Sequence, residues 1–179
     1  MNSQEMAKKL HSVAGRGCIA VTGSGIQAIS DLFSEPGASR TILDAQVPYS
    51  RLALEEFVGA LADQHVSSEE AKMMAKAALK RAQHLAQGEE VNEPLFGVGC
   101  TAAVSTDRVR RGEDRAHVAW TNGTHSGGAS IWFDKQARTR ANEDAVVSAI
   151  VLNSIALTLK IDERLDLNVL ETERFNEFD

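Results

Sequence analysis

Apolar residues recur along this chain at two spacings, and the spacing changes at small-residue turns. Met6, Leu10 and Val13 sit at helical intervals over about Ser3 to Ala14, leaving Lys8, Lys9 and His11 for the solvent side. Gly15 and Gly17 close that helix, because glycine enters the left-handed region without steric cost. Cys18-Ile19-Ala20-Val21 reads as a short, fully apolar strand. Thr22-Gly23-Ser24-Gly25 then makes a tight polar turn into a helix from about Ile26 to Phe33. Ser34-Glu35-Pro36-Gly37 stops it.

A β-prone stretch follows from Thr41 to Val47, ended by Pro48, which has no N–H to give a ladder. Ser50 caps a helix from Arg51 to about Leu61, with Leu54, Phe57, Val58 and Leu61 on one face. Ser67 with Glu70 three residues later has capping-box spacing and starts a helix running to about Ala86. Its many alanines, with Met73, Met74, Leu79 and Leu85, predict close packing against a sheet. Over Pro94 to Val104, Phe96, Val98, Cys100 and Ala102 form one strand face, and Gly97, Gly99, Thr101 and Ala103 the other. The second face is nearly bare and permits close approach of a helix or a ligand.

A charged loop from Ser105 to Arg115 separates this strand from a hairpin, Ala116–Thr121 with Ala129–Phe133, turning near Asn122-Gly123. The last long helix spans about Ala141 to Leu159, with Asn142 offering a cap. Beyond it, Leu165, Leu167, Val169 and Leu170 could dock as an extra strand, with 171–179 frayed or used in assembly. Strands separated by helices permit parallel pairs, and the late hairpin adds an antiparallel part. The expectation is an α/β fold, a three-layer α/β/α sandwich with a mixed sheet. One domain would occupy residues 1–163, followed by an acidic tail over 164–179.

Composition narrows the picture. A chain of 179 residues is long enough for one core without metal or disulfide support. Cys18 and Cys100 lie in apolar runs and read as buried small hydrophobes, with no Cys-x-x-Cys pair. The net charge of -6 argues against a dedicated nucleic-acid binder. Arg108, Arg110, Arg111 and Arg115 are the local exception: a solvated loop, or a seat for a phosphate. No apolar window approaches a membrane span and the start lacks a signal-peptide core, so a cytoplasmic protein is expected, as a small homo-oligomer.

Chemistry has three candidate sites. Thr22-Gly23-Ser24-Gly25 exposes two hydroxyls and the N–H groups of a helix start, which suit an anion or oxyanion. The bland alternative is a capped tight turn. Ala28 stands where a dinucleotide fingerprint needs its third glycine. Thr101, followed by Ser105, Thr106 and Asp107, could complete a pocket, or be an ordinary strand threonine. Tyr49 beside Ser50 could supply an aromatic wall and a phenol. His65, His117 and His125 are far apart in sequence, so no triad and no metal site can be read from their spacing; His125, in the glycine-rich loop, is the best placed.

Pro36-Gly37-Ala38-Ser39, Tyr49-Ser50, Val66-Ser67 before an alanine- and methionine-rich helix, Thr101 at a strand end, and arginines at 138–140 occur in an order that resembles the C-terminal domain family of the competence/damage-inducible protein CinA. The resemblance spans about Met6 to Leu159. It implies a three-layer domain that hydrolyses the carboxamide of nicotinamide mononucleotide, with no cofactor and no metal. The family's serine in Ser-Cys-Thr-Gly-Gly falls on Thr22, followed by Gly23, Ser24, Gly25 and Ile26. Its tyrosine falls on Tyr49, and its lysine on Leu54. Its Thr-Gly-Ile-Ala-Gly-Pro motif falls on Thr101-Ala102-Ala103-Val104-Ser105-Thr106, and its arginine on Arg140, with Arg138 as the other choice.

The resemblance therefore implies Thr22, Ser24 and Thr101 as catalytic groups, and Gly23, Gly25, Tyr49, Ser105, Arg138 and Arg140 as substrate contacts. Two functions of different class follow. One is an amidohydrolase acting on a nicotinamide mononucleotide-like molecule. The other is a catalytically inactive nucleotide-binding or assembly protein, motivated by Leu54 and the altered Thr101 loop. A scaffold with no small-molecule role is the third.

Overall fold

Local propensity and burial pattern give eleven elements of regular helix and strand among the described residues, which are 1–60 and 63–179 of a computed structural model. In chain order they are α1 (Ser3–Leu10), β1 (Arg16–Thr22), α2 (Ile26–Ser34), β2 (Ile42–Gln46), α3 (Arg51–Val58), α4 (Ser68–Glu89), β3 (Leu95–Ala103), β4 (Arg115–Thr121), β5 (Ser126–Trp132), α5 (Arg140–Thr158) and β6 (Arg174–Phe178). The strands form one mixed sheet in the order β2-β1-β3-β4-β5-β6. β1 runs parallel to both β2 and β3, and every later pairing is antiparallel.

Strand alternation divides the two helical layers. Ile19, Val21, Phe96, Val98, Cys100, Val118 and Ile131 join Met6, Leu10, Leu32, Val147, Val151 and Ile155 in the main core, so α1, α2 and α5 cover that face. Cys18 packs with Ala78 and Ala82, and Ala20 with Leu54 and Met74, so α3 and α4 cover the other. The bare face of β3 determines where α4 lies. A Cβ on Gly97 would stand 2.2 Å from the Ala75 carbonyl oxygen, and one on Gly99 would stand 2.4 Å from the Met74 Cβ. The helix backbone thus rests directly on the strand, which only glycine at those positions allows.

Several boundaries depart from the sequence expectation. α1 stops at Leu10, and His11 is buried rather than solvated: Nδ1 meets Thr41 Oγ1 at 2.7 Å and Nε2 meets the Leu32 carbonyl at 2.9 Å. A histidine whose two ring nitrogens both find partners loses nothing by leaving water. α3 ends at Val58 because Gly59 takes a left-handed cap; Leu61 lies outside the described residues. The box at α4 is half formed: the Ser67 hydroxyl accepts from the Glu70 N–H, while the Glu70 carboxylate turns toward His65. Thr139 caps α5 by accepting from the Asn142 N–H, so Asn142 is the capped residue and not the cap.

The tail reverses the expected order. Leu165 is buried and Leu167 packs against the main core, whereas 174–178 forms the sixth strand. Glu173 anchors it through a two-pronged pair with Arg138, at 2.9 Å to Nε and 3.0 Å to the terminal nitrogen. A buried bidentate arginine pair fixes the chain direction at a point where hydrophobic spacing alone is ambiguous. No helix among the described residues is long and apolar enough to cross a membrane.

Candidate functional site

β1 connects through α2 to β2 on one side, while β3 lies on the other, with the crossovers on opposite faces of the sheet. The C-terminal ends of β1 and β3 therefore form a topological switch point, where open α/β sheets leave a crevice. Thr22 sits at the end of β1 directly opposite Thr101, and Thr101 is directly opposite His117. His117 in turn faces Ser130, and Ser130 faces Asn176. Cross-strand partners share a face, so Thr22, Thr101, His117, Ser130 and Asn176 form one polar row across the α4 side of the sheet. Sequence distance hides this row entirely; register creates it.

The turn after β1 is built as its sequence requires, with Gly23 at φ 83° and Gly25 at φ 99° in the left-handed region. Its polar groups, however, face α5. Asp144 Oδ1 accepts from the Ser24 hydroxyl at 2.7 Å, from the Gly25 N–H at 2.7 Å and from the Ile26 N–H at 3.3 Å, while Oδ2 accepts from the Gln27 N–H at 3.1 Å. The anion seat at the start of α2 is filled by the chain's own carboxylate, which also complements the helix dipole. Arg140, one turn earlier on α5, donates to the Gly23 carbonyl at 3.3 Å and the Ser105 carbonyl at 3.1 Å, clasping the β1 and β3 loops together.

The remaining sequence candidates are placed as follows. Thr101 is buried, and its hydroxyl donates to the His65 carbonyl at 2.5 Å. No described residue hydrogen-bonds the Thr22 hydroxyl. Ser105 is half-buried, and its N–H donates to Glu143 at 2.6 Å. Tyr49 stands exposed after β2. Arg138 is engaged with Glu173 and the Asn168 carbonyl, so it faces the tail. Leu54 is buried against Ala20 and Met74. His125 is exposed in the β4–β5 turn, at the opposite end of the sheet from Thr101 because β4 runs antiparallel to β3. Cys18 and Cys100 are buried and free; burial pushes the Cys18 thiol up to about 12 and the Cys100 thiol up as well, so both stay protonated.

A polar cleft opens beside the row, between the start of α4 and the loop before β4. It encloses about 600 Å³ and is lined by Gln64, Val66, Ser67, Ser68, Arg111, Gly112, Glu113, Arg115, His117 and Trp132. His117 is its floor. Its Nδ1 meets Ser130 Oγ at 2.6 Å, and the Trp132 ring stands edge-on at 5.7 Å. Burial, and then the charge of Arg115, lower the imidazole to about 4, so it is neutral at pH 7. Arg115 donates to the Val66 and Glu113 carbonyls at 3.1 Å each, tying the loop to α4. Beneath the same loop Glu143 is fully buried; burial raises its carboxyl to about 7, helped by neighbouring Asp114, which pairs with Arg110. A second hollow of about 490 Å³ lies between α5 and β4–β6, with Trp120, Ile150, Leu157 and Phe175 among its apolar walls and Asn153, Arg164 and Glu177 among its polar ones.

Sequence reasoning missed Asp144, Glu143 and the place of His117, and read Glu70 only as a capping-box residue. Glu143 and Asp144 left one usable signal, since acidic residues early in a helix that is otherwise buried need partners. Glu70 is buried with Oε1 3.4 Å from His65 Nδ1. Among the described residues no group of three or more His, Cys, Asp or Glu side chains is disposed to hold a metal.

No protein-family model matches the chain, and no curated protein does. Solved structures do. The competence/damage-inducible protein CihA from Agrobacterium tumefaciens aligns with TM-score 0.67 at 16 % identity, over 90 % of this chain and 96 % of that one. A competence-damaged protein (CinA) superfamily protein from Enterobacter cloacae aligns with TM-score 0.65 at 17 % identity, over 90 % and 94 %. The competence damage-inducible protein A (ComA) from Klebsiella pneumoniae aligns with TM-score 0.69 at 13 % identity, over 91 % and 100 %. The likeness is one of fold.

Proposed function

We propose that this chain is a divergent member of the CinA superfamily that binds a small nucleotide-like molecule and does not cleave its amide. The observation that carries this reading is Asp144, fixed on the Ser24 hydroxyl and the N–H groups of Gly25, Ile26 and Gln27. Amide hydrolysis at the turn passes through an oxyanion, which those donors would have to stabilise. A carboxylate already held there offers a new anion repulsion of roughly 4 kcal/mol at 4 Å and an effective dielectric of 20. Leu54 adds to this: the position that the family resemblance gives to a lysine is apolar and sealed against Ala20 and Met74. The binding half of the reading rests on the polar cleft, whose size suits a small ligand.

A second reading, hydrolysis with Thr22 as nucleophile, draws on one observation: no described residue takes up its hydroxyl, and it adjoins Thr101. A threonine nucleophile needs a base, and the Thr101 hydroxyl is committed to a carbonyl. Ammonia release from nicotinamide mononucleotide and related carboxamides, measured on protein shown to be folded, separates the two. The expected result is no turnover above buffer, with calorimetric binding retained. Turnover that disappears in Thr22→Val would overturn the proposal.

A further inference from the structure

We propose that the cleft between the start of α4 and the loop before β4 is a binding site for a sugar phosphate, free or as part of a nucleotide. The site deepens the non-hydrolytic binding reading above and gives it a place away from the β1 turn. Six features of the cleft recognise that chemistry together.

Arg111 is exposed on its rim and has neither an ion-pair nor a hydrogen-bond partner among the described residues. In the same lining, the Ser67 hydroxyl accepts from the Glu70 N–H and donates to the Gln64 carbonyl, so the Ser68 and Glu69 N–H groups at the start of this 22-residue helix have no partner among the described residues. An arginine fork facing a helix N-terminus is a phosphate seat. Arg115 adds positive charge from below while its own donors hold the cleft wall in place. That leaves Arg111 as the unengaged half of the clamp and Arg115 as the fixed half.

The floor calls for hydroxyls. His117 is 6 % exposed and lines the cleft; with Nδ1 engaged by Ser130, its Nε2 has no hydrogen-bond partner among the described residues. With Nδ1 and the Ser130 hydroxyl bonded to each other, Nε2 of the neutral imidazole is left for a ligand hydroxyl, accepting from its O–H in one tautomer and donating to its oxygen in the other. Burial and Arg115 keep it neutral across the physiological range. Glu113 places a carboxylate in the same lining. A carboxylate disfavours a bare phosphate but accepts well from a diol, so the pair selects a phosphate that carries a polyol. Trp132 closes one side, held by Arg174 stacked 4.0 Å from its ring centroid, and gives the apolar face on which a sugar ring or base can rest.

The experiment is a titration of the whole chain followed by calorimetry and by indole fluorescence. The chain has two tryptophans, so Trp120→Phe leaves Trp132 as the reporter inside the cleft. Probes are inorganic phosphate, ribose, ribose 5-phosphate, adenosine monophosphate and nicotinamide mononucleotide. The expected result is binding of phosphorylated sugars with a change in Trp132 emission, and weaker response to phosphate or ribose alone. Arg111→Ala, a change at an exposed side chain, should weaken binding by about ten- to a hundredfold, with Arg111→Lys recovering part of it. Ribose 5-phosphate matching the nucleotides would assign the sugar phosphate as the whole determinant; nucleotides alone binding would assign the base to Trp132. Binding that survives Arg111→Ala unchanged overturns this site and leaves the non-hydrolytic reading standing. A chain that binds none of the probes overturns both, and inorganic phosphate binding as tightly as any sugar phosphate reduces the cleft to a general anion seat and overturns the proposal.

Discussion

Removing the Asp144 carboxylate tests the account of the β1 turn directly. In Asp144→Ala, five donors lose their acceptor, the fifth being the Ser148 hydroxyl at 3.5 Å, whose bond is too long to weigh much. Ile26 and Gln27 are exposed, so water replaces the carboxylate there at little loss. Ser24 and Gly25 are buried, and each loses a 2.7 Å charge-assisted bond. At roughly 1.5 kcal/mol for each such bond, the expected destabilisation is about 3 kcal/mol. For a domain of this size that corresponds to a fall of about 6–12 °C in Tm. Asp144→Asn keeps one acceptor oxygen without the charge and should lose about half as much. Thermal and urea unfolding of the three proteins measure this. A second readout is specific to the geometry: the vacated seat becomes a site for an external anion, so sulfate should stabilise Asp144→Ala more than it stabilises the native chain. An Asp144→Ala protein within about 0.5 kcal/mol of native stability, with the same sulfate response, would refute the reasoning.

Two further outcomes follow from buried charges. Arg138→Ala leaves the Glu173 carboxylate, whose side chain is 0 % exposed, without its partner and should cost about 3–5 kcal/mol; hydrogen exchange should show the loss concentrated in the amides of 174–178, and a uniform loss would contradict the anchoring role. Glu143 holds a proton in the folded chain up to about pH 7 that it releases near pH 4.5 when unfolded, so its contribution is present below 4.5 and is lost as pH rises to 7. Glu143→Gln, which keeps an acceptor for the Ser105 N–H and a donor for Asp114, should therefore flatten the pH profile of stability and exceed the native chain above pH 7; chemical denaturation from pH 4 to 8 checks the sign. His117 acts in the opposite sense over pH 6.5 to 4, because its folded value is depressed, and Glu143→Gln should uncover that loss on acidification.

Local pattern was enough to read the layers. The apolar run at Cys18–Val21, the bare face of Gly97 and Gly99, the Asn122-Gly123 hairpin and the amphipathic helices all report periods of two or 3.6 residues, which short-range sterics and solvent exclusion impose on any chain. The mixed sheet and three layers follow from their order. Charged partners were not legible in the same way. Asp144 lies about 120 positions from the turn it caps, and nothing in the residues around either end announces the other.

What the sequence determined by itself was the set of elements, the tightness of α4 on β3, and the small-residue turn after β1. Only the tertiary structure decided which way that turn's donors point, that His11 would be buried, that residues 174–178 and not 165–170 would form the last strand, and that Thr22, Thr101, His117 and Ser130 would stand in one row. The physical reason is range. Backbone sterics and hydrophobic periodicity act within a few residues, whereas register and buried ion pairs are settled by competition among distant segments for the same donors, acceptors and dry surface.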